Sequence, residues 1–370
     1  MDAEKRAFPG AAAVSRAIAG ETKALYQSAA RGGDWPAKGA GDDGADLDLV
    51  SDADPDGGND WRLDAIAAGL GAARDDWRRA HHRHAEVHAA GFPSRAAIRE
   101  TVDDLSAALF PGRLGGSDRR GRDEPGYVLD MLRSGLDRLT ETVRRELIHQ
   151  RAATRGTAAA RGLVARFADR LPTIRRLLDT DVEAAFRGDP AARDVDEVLL
   201  CYPGIFAMIC HRLAHELYGL GLPLAARMIA EVAHSDTGID IHPGATIGHG
   251  FFIDHGTGVV IGETAVIGDR VRLYQAVTLG ARSFPTDADG ALVKGIPRHP
   301  IIEDDVVIYA GATILGRVTV GRGATIGGNV WLTEDIAAGS VIHQASAERD
   351  RGAPGCLPTG TLCRGGAAPD

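Results

Sequence analysis

The sequence lacks three features that would indicate particular classes of protein: long apolar runs, an excess of basic residues, and closely spaced cysteines. No apolar run reaches the roughly 18 to 20 residues of a membrane-spanning helix, and Met1 leads into charged residues rather than a signal-peptide core. We therefore expect no membrane association and a cytoplasmic location. The formal net charge of −9 provides no basic face, so we also expect no nucleic-acid partner.

Cysteine is scarce: the 370 residues contain 4, and no two of them form a C-x-x-C pair. That number is too small for a disulfide scaffold. Cys201 and Cys210 lie in an apolar segment, and we expect both to pack as small core residues. Hydrophobic residues make up 44% of the chain and charged residues 25%, which is ordinary for a globular protein of roughly two or three domains.

The first 234 residues divide into two parts of different composition. Residues 1–60 are rich in Ala, Gly and Asp and hold few apolar side chains, so burial cannot offset chain entropy and we expect disorder. Residues 61–234 carry apolar residues at helical spacing between Gly and Pro breaks, which predicts a helical domain. The predicted helices cover residues 63–70, 98–109, 127–151, 163–171 and 173–186, two helices within 197–215, and residues 224–234.

From residue 241 onward, aliphatic residues recur at every sixth position. A period of six fits neither a helix nor the simple alternation of a sheet strand, and it is typical of parallel β-helices. We therefore predict an α+β chain in which residues 235–344 form a β-helix after the helical domain. The repeat is strictest at Ile302, Ile308, Ile314, Val320, Ile326 and Leu332.

The six-residue repeat is interrupted at two places. After Val259 the register shifts by two residues and resumes at Ile261, and residues 281–297 interrupt it with polar residues, Gly and Pro. We predict that residues 281–297 form an excursion loop, which is where repeat folds carry function. The composition of residues 345–370 predicts a flexible tail.

Glycine often occupies the position directly after the aliphatic residue of the six-residue repeat. There it predicts a corner that needs a positive φ or a close backbone approach, at Gly248, Gly262, Gly268, Gly280, Gly321 and Gly327.

Histidines cluster in and beside the predicted β-helix, and some of them have charged neighbours. A single histidine on such a coil is usually an ordinary surface residue, so the candidates have to be judged together. Three local strings stand out: Asp240-Ile241-His242-Pro243, then Asp254-His255-Gly256-Thr257-Gly258, and Arg298-His299-Pro300. An imidazole oriented by a carboxylate is a suitable base for removing the proton of a hydroxyl group.

These strings, within residues 235–248, 253–264 and 298–304, resemble the serine O-acetyltransferases. The resemblance covers roughly residues 181–332, and the long loop before Arg298 resembles the branch of the family with an enlarged loop. It implies a left-handed parallel β-helix after a helical domain. It also implies transfer of an acetyl group from acetyl-CoA to the hydroxyl of L-serine, giving O-acetylserine for cysteine biosynthesis, with no metal.

The resemblance implies roles for ten residues. His255 matches the general base, and Asp240 matches the carboxylate that pairs with it. The other implied positions are His299 as a second catalytic histidine from across a subunit boundary, Arg298 as the clamp for the serine carboxylate, Asp189 and Asp254 as contacts to its ammonium and hydroxyl end, and Gly280, Ala281, Ala310 and Gly328 as the lining for acetyl-CoA.

The resemblance also implies partners. It predicts a homotrimer or a dimer of trimers, and feedback inhibition by cysteine. Many family members end in an isoleucine that inserts into O-acetylserine sulfhydrylase, the next enzyme of the pathway. This sequence ends in Ala-Pro-Asp370, which argues against that complex.

Three alternatives remain open from the sequence. A γ-type carbonic anhydrase uses the same coil with three histidines on zinc, but Asp240 and Asp254 beside the histidines are not expected there. A non-catalytic assembly platform would need only the repeat. A related acetyltransferase could act on another hydroxyl compound, although Asp189 and Arg298 suit a zwitterion.

Overall fold

The computed structural model describes residues 62–81, 91–115, 123–150 and 156–344. These residues form a series of helices followed by a left-handed parallel β-helix, so the predicted α+β fold class is confirmed. The predictions of disorder for residues 1–60 and of a flexible tail for residues 345–370 lie outside the described residues.

The predicted helices are confirmed, with ends that local sequence explains. Pro203 begins one helix where its missing N–H is not needed, and Gly238 ends another with a φ of 70°. In the described part of the chain no single helix is long and apolar enough to cross a membrane, and one consecutive pair passes that test only together, with a 74° bend. The helices are α1 Leu63–Ala80, α2 Arg95–Leu109, α3 Glu124–His149, α4 Thr157–Ala168, α5 Leu171–Gly188, α6 Val195–Cys201, α7 Pro203–Gly219 and α8 Pro223–Thr237.

Two details of the helical part differ from expectation. Helix α1 forms, but none of its residues is buried, and Leu63, Ile66 and Leu70 on its apolar stripe stay exposed. Cys210 is buried as predicted, whereas Cys201 is exposed at the end of α6, so the prediction that both are core residues is wrong. Helical spacing shows which face is apolar; it does not show whether another element covers that face.

The β-helix consists of short parallel strands in three sheets. In most strands the first residue points outward and the second fills the core, which reproduces the period of six. Sheet 1 contains β1 (Asp240–Ile241), β4 (Val260–Ile261), β7 (Thr278–Gly280), β10 (Thr313–Leu315) and β13 (Trp331–Leu332). Sheet 2 contains β2 (Thr246–Ile247), β5 (Val266–Ile267), β8 (Ile301–Ile302) and β11 (Thr319–Val320). Sheet 3 contains β3 (Phe252–Ile253), β6 (Arg272–Leu273), β9 (Val307–Ile308), β12 (Thr325–Ile326) and β14 (Val341–Ile342).

The glycines after the core positions serve close packing between coils. None of the six predicted glycines has a positive φ, so that alternative is wrong at these positions. A Cβ atom on Gly248 would lie 2.6 Å from the carbonyl oxygen of Gly268, and one on Gly321 would lie 2.5 Å from the backbone nitrogen of Ala338. Glycine is needed because the next coil passes too close for a side chain.

The two irregularities of the repeat lie at corners of the coil. The shift of two residues lengthens the corner between β3 and β4, where Val259 is buried but precedes the strand. Residues 281–297 leave the coil between β7 and β8, and an antiparallel bridge between Thr286 and Leu292 gives them the form of a small hairpin. Both departures lie beside residues predicted to be functional.

A buried ion pair joins the helices to the first coil. The Arg212 side chain on α7 bonds both carboxylate oxygens of Asp181 on α5, and it also donates to the backbone oxygen of Ile247 at 2.6 Å. Asp181 accepts the N–H of Phe251 at 2.9 Å. Burial raises the pKa of Asp181 to about 6, and the Arg212 charge opposes that rise. The pair therefore orients α5, which ends at the candidate site.

Candidate active site

His255 occupies an unusual backbone position in the lengthened corner between β3 and β4. Its φ is 60°, in the left-handed region that non-glycine residues rarely adopt, and its side chain is 72% exposed. This conformation costs a non-glycine residue on the order of 1–2 kcal/mol, and Arg270, Ala276, Asp305 and Asn329 at other corners of the coil also adopt it. The corner therefore presents the imidazole to solvent in a defined direction.

Asp254 lies beside His255 and is nearly buried. One of its oxygens, Oδ1, is 4.0 Å from Nε2 of His255, and the other, Oδ2, accepts a hydrogen bond of 2.8 Å from Nη2 of Arg272. Sequence reasoning missed Arg272. A signal was present, because the outward position of β6 carries a charge where the repeat requires none.

Asp189 follows the last residue of α5 and completes this group. It accepts hydrogen bonds from the Tyr202 hydroxyl at 2.5 Å and from the backbone N–H of Ala191 at 2.8 Å. These two bonds, with smaller contributions from the charges of Arg272 and His255, hold the pKa of Asp189 below its usual value. The hydrogen bond between Tyr202 and Asp189 also raises the pKa of Tyr202 to about 12. The structure thus brings three predicted residues, Asp189, Asp254 and His255, to one place, which we call the His255 corner.

Asp240 begins β1, where it pairs with Val260 of β4. Among the described residues no hydrogen bond or ion pair joins Asp240 to His255, and the carboxylate found near the imidazole is that of Asp254. The pairing of Asp240 with His255 therefore stays a prediction.

Arg298 lies at a second corner of the coil, between sheets 1 and 2. Its Nη2 donates to Oε2 of Glu263 at 2.7 Å, and the Tyr218 hydroxyl on α7 donates to the other oxygen, Oε1, at 2.9 Å. Burial opposes ionisation of Glu263, but the bonds from Arg298 and Tyr218 outweigh it and hold its pKa below the usual value. Arg298 is thus held in place from the helical part of the chain.

His299 lies at the same corner and is only 6% exposed. Its Nδ1 accepts the backbone N–H of Thr264 at 3.0 Å, and its ring packs over Gly262, where a Cβ atom would overlap it. Burial, followed by the charge of Arg298, lowers the pKa of His299 to about 4. Because Nδ1 is an acceptor, the neutral ring carries its proton on Nε2. We call the residues 262–264, 298 and 299 the Arg298 corner.

The predicted catalytic and substrate residues therefore fall into two groups on one chain. The His255 corner lies between sheets 3 and 1, whereas the Arg298 corner lies between sheets 1 and 2. The predicted acetyl-CoA positions divide in the same way. Ala310 and Gly328 lie on successive coils in turns between sheets 3 and 1, on the same side of the β-helix as the turn of His255. Gly280 and Ala281 lie at the end of β7, where the chain leaves sheet 1 towards the Arg298 corner.

Residues 299–334 match the bacterial transferase hexapeptide family of six repeats. The chain is 54% identical over 299 residues to a plasmid-encoded serine acetyltransferase of Synechococcus elongatus, a match that covers 78% of this chain and 93% of that relative. The chain belongs to the serine acetyltransferase family. The resemblance inferred from the three motif strings is confirmed.

Solved structures of serine acetyltransferases agree with this assignment. Serine acetyltransferase 1 of Entamoeba histolytica, in complex with L-cysteine, aligns with a TM-score of 0.60 and 38% identity over 66% of this chain and 86% of that one. Isoform 3 from the same organism, in complex with cysteine, aligns with a TM-score of 0.58 and 38% identity over 68% and 84%. Sequence identity and structural similarity therefore support the same family and the same fold.

Membership of the serine acetyltransferase family answers two of the three alternatives left open by the sequence. The chain is an acyltransferase, which disagrees with a non-catalytic platform and with a γ-type carbonic anhydrase. Within the part of the chain that the structure describes, no three His, Cys, Asp or Glu side chains are grouped so that they could hold a metal ion. The expectation that the enzyme needs no metal stays a prediction.

Proposed function

We propose that this chain transfers the acetyl group of acetyl-CoA to the hydroxyl of L-serine, producing O-acetylserine for cysteine biosynthesis. The observation that carries the proposal is the His255 corner. There an exposed imidazole lies 4.0 Å from the Asp254 carboxylate, and its charge also acts on Asp189, in a chain of the serine acetyltransferase family. Carboxylates suit the ammonium group of an amino acid, and the imidazole suits its hydroxyl.

In the proposed reaction His255 removes the proton of the serine hydroxyl while the oxygen attacks the thioester carbonyl carbon. The carbon–sulfur bond breaks, and the imidazolium returns the proton to the leaving thiolate. No covalent enzyme intermediate is required, because both substrates are present together. We propose Asp240 as the carboxylate that steadies the protonated His255, with Asp254, whose Oδ1 is 4.0 Å from Nε2, as the near neighbour.

Asp189 and Asp254 are proposed to receive the serine ammonium group, and Arg298 is proposed to bind its carboxylate. A guanidinium is suited to that task because its planar fork can bind both carboxylate oxygens. The neutral His299 ring, which carries its proton on Nε2, is proposed to donate a hydrogen bond from that atom. Acetyl-CoA is proposed to run along the coil past Gly280, Ala281, Ala310 and Gly328.

The division of these residues between two corners supports an oligomeric site. We propose that Arg298 and His299 of one copy approach His255 of another, in a homotrimer or a dimer of trimers. The exposed apolar stripe of α1 favours a further contact between copies. Mass measurement in solution distinguishes three copies from six, and a monomer that acetylates serine would contradict this arrangement.

Cysteine is proposed as a feedback inhibitor that competes with serine. The two Entamoeba histolytica enzymes were solved in complex with cysteine, and cysteine carries the same ammonium and carboxylate groups as serine. The cytoplasmic location remains a prediction that cell fractionation can test.

The experiment that tests the function is an assay of thiol release from acetyl-CoA by the purified full-length protein. Release should depend on L-serine, and mass spectrometry should find O-acetylserine. Glycerol, which has hydroxyl groups but no ammonium or carboxylate, should not replace serine. Equal release with glycerol and serine would favour an acetyltransferase for another hydroxyl compound. No release with either would contradict the proposal.

A further inference from the structure

Arg272 breaks the pattern of the outward-facing row on sheet 3. Paired residues along that row are Phe252, Arg272, Val307, Thr325 and Val341. The other four are uncharged, and the outward position of a coil imposes no need for a cation. The six-residue repeat therefore does not account for an arginine at this position.

The contacts of Arg272 hold its side chain in one arrangement. Nη1 donates to the backbone oxygen of Gly188 at 2.7 Å, and Nη2 donates to Oδ2 of Asp254 at 2.8 Å. The guanidinium also lies 4.9 Å from the ring centre of Phe252 and 4.7 Å from that of Tyr274. Two hydrogen bonds and two aromatic rings thus restrain one planar group.

Both acceptors stand immediately before a residue of the proposed site. Gly188 ends α5 and precedes Asp189, and Asp254 precedes His255. A cation is favoured at Gly188 because it lies at the negative end of the helix dipole. Gly188 also packs tightly on the coil, since a Cβ atom there would lie 3.0 Å from the Phe252 ring.

The bond from Arg272 assigns different partners to the two oxygens of Asp254. Because Oδ2 is engaged by Arg272, the carboxylate cannot rotate freely, and Oδ1 stays directed towards Nε2 of His255 at 4.0 Å. The bond to Gly188 fixes the backbone that carries Asp189. One side chain thus links the backbone at the end of α5, next to Asp189, to the Asp254 carboxylate on the coil.

We propose that Arg272 is a positioning residue for the acetyl transfer, holding Asp254 and the turn of Gly188 and Asp189 at the separation that receives the serine ammonium group. This inference rests on the proposed function. Lysine would be an incomplete replacement, because its single ammonium lacks the planar fork that reaches two acceptors in different directions.

Steady-state kinetics of Arg272→Met and Arg272→Lys test the inference. The methionine variant should raise the KM for serine by about tenfold or more and leave the KM for acetyl-CoA within about twofold, because the ammonium site alone is disturbed. The lysine variant should fall between it and the wild type. The matched control is Arg270→Met, since Arg270 bonds Asp305 at 2.6 and 2.9 Å at a different corner, and this variant should keep wild-type kinetics.

A double-mutant cycle separates positioning from a general structural role. Because Arg272 acts partly through Asp254, adding Arg272→Met to Asp254→Asn should raise the serine KM by less than the product of the two single effects. Fully additive effects would overturn the inference, as would an unchanged serine KM in an active Arg272→Met variant. Circular dichroism and size-exclusion chromatography check the fold. Loss of fold in both Arg272 variants, with Arg270→Met folded, would show a structural role only and would also overturn it. An inactive wild-type protein would instead contradict the proposed function, and the inference with it.

Discussion

The His255 corner and the Arg298 corner each contain a histidine, but the two histidines differ in exposure and in contacts. His255 is 72% exposed in a strained loop, whereas His299 is 6% exposed and fixed by a backbone N–H. Burial lowers the pKa of His299 to about 4, so it is a poor proton acceptor near neutral pH and a good neutral donor. The two histidines therefore suit different tasks: proton transfer for His255 and hydrogen-bond donation for His299.

The two corners also differ in charge. The His255 corner offers two carboxylates, Asp189 and Asp254, to a cationic group. The Arg298 corner offers a guanidinium whose own carboxylate partner, Glu263, is shared with Tyr218. A zwitterion placed between the two corners would meet a complementary charge at each end. That complementarity is the physical reason to expect both corners in one oligomeric site.

The largest expected effect comes from removing the base. His255→Ala should lower turnover by about 10²- to 10⁴-fold, the contribution typical of a general base, while the oligomer stays intact. The control is His249→Ala, an exposed histidine 3.2 Å from Asp269 at another corner of the coil, which should keep wild-type turnover. Serine-dependent thiol release measures both. Normal turnover in His255→Ala would assign the base to another residue.

A smaller effect is expected at the Arg298 corner. Arg298→Ala should raise the KM for serine by about 10- to 100-fold with a lesser change in turnover, because charge-assisted hydrogen bonds contribute about 1.5–3 kcal/mol to binding. Arg322→Ala is the control, since Arg322 pairs with Asp304 at 2.9 Å away from both corners. Initial rates at varied serine concentration measure the effect. If the serine KM of Arg298→Ala matched that of the control, Arg298 would not belong to the site.

The smallest effect concerns the response of stability to pH. The pKa of His299 is about 4 in the folded chain, below its unfolded value near 6.5, so the unfolded chain binds a proton that the folded chain does not between these values. Stability should therefore be fully present above about pH 6.5 and fall as the pH drops towards 4. His299→Asn should weaken that fall, as measured by urea unfolding at pH 7 and pH 5. An identical fall in the variant would show that His299 does not contribute.

Sequence reasoning predicted the coil well and the contacts around the site poorly. The core positions from Ile302 to Leu332 were predictable because each coil repeats the same local geometry, and their burial confirms the period of six. The three motif strings pointed to His255, Asp254 and Arg298. Arg272 and Tyr202 were missed because their partners are 84 and 13 residues away in the chain, and no local pattern records such contacts.

The exposure of α1 is a second property that depends on parts of the molecule distant in sequence. Its apolar spacing was sufficient to predict a helix, since backbone hydrogen bonds and side-chain spacing are local properties. Whether its stripe is covered depends on elements far away in sequence or on another copy of the chain. The sequence could not decide between Cys201 and Cys210 for the same reason, because both lie in apolar helices and only packing exposes one of them.

The repeat and the motif strings consist of residues close together in the chain, so they were sufficient to predict the β-helix, the helical part before it and the family. Three properties became visible only in the folded chain: His255 is exposed with a positive φ, His299 is buried and neutral, and Arg272 links Asp254 to the end of α5. The physical reason is that pKa values, exposure and carboxylate orientation depend on the neighbours that folding brings from distant parts of the chain.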